Sequence, residues 1–173
     1  MHLLSRPGGP LFPLRMSELR ERLGPALGKI ASGLYIATAR VEGAPVGMLC
    51  SFVEQASFDP PMITLAIAPG RPISPVLESG GYFGLHVLAK SNNALLKSFA
   101  RGGTAESFAA HETIENSYGV PQFPEAWAFL VGQVKNHLLA GDHLVYLAEI
   151  VSGTLQKQGE EPMVRVRPNG FSY

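Results

Sequence analysis

The run Gly47-Met48-Leu49-Cys50-Ser51-Phe52-Val53-Glu54-Gln55-Ala56-Ser57-Phe58-Asp59-Pro60-Pro61 mixes small and hydroxyl residues with a strand-like start and ends in a double proline. Small side chains let backbone amides reach a ligand, hydroxyls donate to an anion, and Pro-Pro cannot continue a ladder. The run reads as a binding edge, although alone it fits an ordinary strand leaving a sheet equally well. Arg71 and Ser74 follow it. A guanidinium beside a helix start offers charge and directed donors together, which is what an anion needs; the plainer readings are a solvated loop arginine and a helix cap. Later, Gly141-Asp142-His143 sets an imidazole at the start of a strand, where it could meet a ligand or close a turn. Cys50 is the sole cysteine, which excludes an internal disulfide and a cysteine zinc cage and leaves packing, reactivity or ligand contact. The remaining histidines, His2, His86, His111 and His137, match no metal-site spacing, so no metal is expected.

These residues need elements to hold them. Residues 1–15 are rich in Pro and Gly without period and read as an arm over the surface or over a partner subunit; residues 16–173 read as one domain. Met16, Leu19, Leu23 and Leu27 recur at helical spacing, with Ser17 as the expected cap and Gly28 as the stop. Strands are expected over 34–41 and 46–53, joined by the turn Glu42-Gly43-Ala44-Pro45, and over 62–67, which argues for an antiparallel sheet. Ser74, with Pro75 at the first helical position, should cap a short helix that Gly80-Gly81 ends. A strand over 82–88 and a helix over 92–99 come next, then a loose excursion over 101–125 with room for one helix. Strands over 129–138, 144–153 and 163–166 complete the pattern. In residues 144–151 both alternating sets are mainly apolar, so both strand faces should be covered, as in a closed or nearly closed barrel with helices outside.

Composition limits the partners. Fourteen basic and fourteen acidic residues cancel, so no overall field favours nucleic acid or an anionic membrane. No apolar run approaches the roughly 20 residues of a spanning helix, and the N-terminus lacks a signal-peptide pattern, which points to the cytoplasm. A chain that is 46% hydrophobic and 16% charged is a globular one.

Taken in order, Gly47-Met48 through Asp59-Pro60-Pro61, Gly81-Tyr82-Phe83, Phe99 and Gly141-Asp142-His143-Leu144-Val145-Tyr146 resemble the flavin reductase-like family from about Leu27 to the C-terminus. Within it, residues 49–58, Phe99-Ala100-Arg101 and Asn169-Gly170-Phe171-Ser172-Tyr173 look most like flavoredoxin-type proteins and the flavin reductase module of flavodiiron proteins. The resemblance implies a mainly β fold with peripheral helices, a largely antiparallel Greek-key split β-barrel, and FMN in preference to FAD. It implies that Met48, Leu49, Cys50 and Ser51 lie along the ring and ribityl chain, that Ser57 stands near the phosphate end, and that Arg71 and Ser74 hold the phosphate. It places His143 against flavin or the incoming nicotinamide of NADH or NADPH, with no general base required. A homodimer is implied too, and an electron-transfer partner protein is allowed. Three functions follow: an NAD(P)H-dependent flavin reductase, an FMN electron carrier without nicotinamide oxidation, and a non-redox ligand-binding barrel. Leu49 and Ser51 replace residues that are a hydroxyl side chain and an asparagine in many members; His86 and Ala148 stand where asparagine and glycine are common.

Overall fold

The computed structural model describes residues 15–172, which fall into two compact units, one of residues 15–31 with 166–172 and one of residues 32–165. The expected arm over residues 1–15 lies, but for Arg15, outside the described residues.

In the smaller unit, helix α1 (Met16–Leu27) begins at Arg15, not at Ser17: the Arg15 N–H donates to the Glu18 carboxylate at 3.2 Å, so the acidic residue of the first turn satisfies the helix start. Ser17 lies inside the first turn. The helix ends at Gly28, as expected, and the C-terminal segment is stitched to that end, Gly170 N–H donating to Gly24 O at 2.7 Å and Arg167 N–H to Gly28 O at 2.9 Å. Asn169 lies so close to Gly24 that a Cβ there would overlap its side chain. The apolar stripe is not an inward face here: Met16, Leu23 and Leu27 are exposed.

The larger unit starts with β1 (Ser32–Gly33) and β2 (Tyr35–Val41), then β3 (Ala44–Cys50), β4 (Val53–Phe58) and β5 (Pro61–Ile67). The expected single strand over 46–53 is interrupted at Ser51-Phe52, where the chain leaves one sheet edge and enters the other. Pro61 opens β5, a position where a missing N–H is tolerated. Helix α2 (Ser74–Glu78), β6 (Tyr82–Val87), α3 (Asn93–Phe99) and α4 (Ala105–Ala109) follow. The 101–125 excursion carries α4 and a small hairpin of β7 (Ile114–Glu115) and β8 (Pro121–Gln122). Two long strands, β9 (Ala128–Ala140) and β10 (His143–Leu155), form a hairpin, and β11 (Val164–Arg165) pairs with β1.

Seven strands form one sheet in the order β3-β2-β6-β9-β10-β5-β4, with every neighbouring pair antiparallel. Its two edge strands are consecutive in sequence, so Ser51-Phe52 bridges the split of a β-barrel. Inward residues Ala37, Ala39, Ile63, Leu65, Phe83, Leu85, Tyr146 and Ala148 fill the barrel, and Ile73 and Leu77 of the α2 segment plug one end. Each such Leu, Ile or Phe stabilises the fold by about 1.5–3 kcal/mol. A second core lies outside the barrel, where Leu95, Phe99, Phe108 and Phe123 pack against Leu34, Ile36 and Leu88. His86 lies outside the barrel, between this second core and Phe129 of a third cluster: its Nδ1–H donates to the Ile36 carbonyl at 3.0 Å and its Nε2 accepts the Phe123 N–H at 3.0 Å, between the rings of Phe123 and Phe129.

Candidate functional site

His143 is placed by its turn. Ala140 pairs with His143 across a two-residue loop, Gly141-Asp142, and Gly141 takes a φ of 66°, a left-handed conformation that glycine adopts without steric cost. The turn lets the exposed Asp142 carboxylate accept the His143 Nδ1–H at 2.7 Å, which fixes the proton on that nitrogen. Leu144, Tyr146 and Ala148 face the barrel interior, so alternation turns His143 and Val145 to the outer wall. The Phe52 ring meets the imidazole there, with centroids 5.8 Å apart and planes tilted by 58°. Phe52 itself is held by its carbonyl, which accepts the Ala66 N–H at 2.9 Å as the chain enters β4. Sequence reasoning quoted Phe52 without assigning it a role; an aromatic directly after Ser51, at the break between strands, was the available signal.

Ser51, one residue earlier, is buried. Of its neighbours, Met48 and Cys50 face the barrel core, whereas Leu49 packs on the outer core under α3. These three contribute backbone to the wall, and their side chains are committed to packing. Burial pushes the Cys50 thiol up to about 12, so it stays protonated and unreactive.

Arg71 and Ser74 share one turn, with Ser74 N–H donating to Arg71 O at 2.9 Å, but they face different ways. Arg71 is exposed and makes no ion pair among the described residues. Ser74 is not the cap: Ile73 holds that position, and Ser74 is the first helical residue, buried on the inner side of α2. Its hydroxyl has no hydrogen-bond partner, and neither does that of the buried Tyr146. The Tyr146 phenol is raised above its ordinary pKa, chiefly by burial and then by the Glu78 charge, with the Ser74 hydroxyl acting in the opposite direction. The two hydroxyls thus face each other without hydrogen-bond geometry. Sequence reasoning quotes Tyr146 within the Gly141–Tyr146 motif without a role, because it reads as one more apolar strand residue.

Ser57 is not brought to this cluster. It pairs with Met62, while Ile67, five residues along β5, pairs with Leu144 next to His143. That is a separation of about 17 Å along the strand.

The family described as flavin reductase like domain matches residues 27–169. Diflavin flavoprotein A 1 of Synechocystis sp. is 34% identical over 164 residues, which is 92% of this chain and 28% of that protein. Putative diflavin flavoprotein A 6 of Nostoc sp. is 34% identical over 151 residues, 86% of this chain and 26% of that protein. The chain therefore spans about a quarter of the length of these curated relatives. Among solved structures, a flavin reductase domain protein from Arthrobacter sp. FB24 superposes with a TM-score of 0.74 at 25% identity, covering 86% of this chain and 89% of that one. An NADH:FAD oxidoreductase from Streptomyces globisporus shares the fold, with a TM-score of 0.75 at 21% identity over 91% of this chain and 90% of its own. The matched span contains the whole barrel, the Ser51-Phe52 bridge and the Gly141-Asp142-His143 turn, and on these grounds the chain belongs to the flavin reductase like domain family.

Proposed function

We propose that this chain binds FMN against the wall formed by Ser51, Phe52 and His143 and acts as an NAD(P)H-dependent flavin reductase, passing electrons to free flavin, ferric iron, oxygen or a partner protein. The observation that carries this reading is the Phe52–His143 pair on the outer wall, beside a buried serine at the barrel split. The residues fit the group: an aromatic pair suits a planar ring, and Arg71 is an uncommitted cation for a phosphate. A bound flavin supplies hydride acceptance and onward electron transfer. The protein's part is to position and exclude water. The Phe52 and His143 rings offer the flat surface, the Asp142 carboxylate holds the imidazole orientation, and the committed side chains of Met48, Leu49 and Cys50 keep the adjoining backbone rigid. We place the working protein in the cytoplasm as a homodimer.

Purified protein should turn yellow with FMN and keep the colour through gel filtration. Anaerobic mixing with NADH or NADPH should then bleach it, and bleaching only by a chemical reductant would replace this reading with that of an electron carrier. The carrier reading has its own support, since the curated relatives are diflavin flavoproteins of which this chain matches only about a quarter.

A further inference from the structure

A cavity of about 470 Å³ opens inside the barrel at the end away from α2. Ile63 of β5, Leu85 of β6, Leu130 of β9 and Ile150 of β10 form apolar walls, Tyr35 of β2 and Gln55 of β4 add polar groups, and the exposed Glu54 of β4 stands at the rim. It lies apart from the Phe52–His143 wall, because Ile63 faces the barrel interior while His143 alternates to the outside. The volume is that of a small-molecule site, and mainly apolar walls with a few polar groups are the usual lining of one. The Tyr35 hydroxyl has no hydrogen-bond partner among the described residues. Burial first and the Glu54 charge second hold that phenol protonated, so it remains a donor. No lysine or arginine lines the cavity, so an anion would meet Glu54 without compensation.

We propose that this cavity is a second binding site, for a planar, uncharged aromatic molecule of two or three rings bearing a hydroxyl that donates to the Glu54 carboxylate and accepts from Tyr35. Affinity comes from the apolar walls and selectivity from Tyr35, Glu54 and Gln55. The site is independent of the flavin reading.

The test is calorimetric titration of the full chain with 2-naphthol and, separately, 2-naphthoate. Naphthol should bind once per chain and at least about tenfold more tightly than the carboxylate. Glu54→Gln should narrow that gap to within about threefold, and Ile150→Trp, which fills the void, should weaken naphthol at least about tenfold with melting and FMN titration unchanged. Amide chemical-shift mapping on the wild-type protein keeps the proposal falsifiable if a variant misfolds: perturbations should centre on Tyr35, Ile63 and Leu85. Perturbations centred on Phe52 and His143, displacement of naphthol by FMN, or equal affinity for the two probes would each overturn the assignment.

Discussion

His86 and His143 put the same side chain to opposite uses. His86 is completely buried, and burial lowers its pKa from 6.5 to about 4, against the hydrogen bond to Ile36 O. The unfolded chain therefore takes up a proton near pH 6.5 that the folded one resists until about pH 4. Stability from the neutral imidazole is fully present above pH 6.5 and lost as pH falls through that window, a loss of about 3 kcal/mol. Urea midpoints measured across the window should fall accordingly, and His86→Asn, though less stable at neutral pH, should lose that part of the slope. His143 is a wall residue, so His143→Ala should slow reduction by nicotinamide while FMN still binds; unchanged turnover would return it to a turn role. Arg71→Ala should weaken FMN by about 1–3 kcal/mol, more at low salt, in a fluorescence titration. Ser74→Ala separates two readings of its partnerless hydroxyl: an unchanged FMN titration means the hydroxyl serves the interior, whereas a loss means that α2 yields it to the ligand.

Turns and small helices decide how these residues are presented, and they were the least readable part of the sequence. The β2–β3 hairpin was legible from the turn composition Glu42-Gly43-Ala44-Pro45, whereas the strands of β9 and β10 were legible without their pairing; Gly43 and Gly141 each have a positive φ in the structure. The break at Ser51-Phe52 was not, since nothing local distinguishes a continuous strand from one that crosses between sheet edges; the crossing is decided by barrel closure. Ser17 and Ser74 have the chemistry of caps, but Glu18 and the burial of the α2 segment select Arg15 and Ile73 instead. The excursion over 101–125 looked loose because its order comes from distant partners. His111 accepts or donates to Ser98 at 2.8 Å through Nε2 and meets Glu125 at 2.5 Å through Nδ1, tying α3 to the loop before β9. Ser107 adds a 2.8 Å bond to the Ser98 carbonyl. His111→Ala should leave those groups short of partners and loosen the excursion, so limited trypsin digestion should cut after Arg101 several-fold faster than in the wild type.

At the level of the molecule, we propose that apolar surface exposed among the described residues is covered by a second copy of the chain. The β9 strand continues through residues 135–140 with every residue exposed, and Leu138 and Leu139 are 61% and 71% exposed near the hairpin tip. Independently, α1 of the smaller unit leaves Met16 66% exposed along with Leu23 and Leu27. An apolar ladder extended beyond its core is costly in water unless something covers it, and covering what is exposed of the two leucines in a second copy would contribute about 2–4 kcal/mol. That is a large fraction of the free energy of a micromolar association. Sedimentation equilibrium should therefore return twice the 18.5 kDa chain mass. The Leu138→Asp, Leu139→Asp double variant should shift the equilibrium toward monomer without lowering the melting temperature of the barrel, because neither side chain belongs to its core. Because the same hairpin carries Gly141, Asp142 and His143, the site and the exposed leucines sit within five residues of each other. Loss of the dimer should consequently weaken FMN binding as well, whereas a monomeric variant with full FMN affinity would mean that one chain completes the site alone.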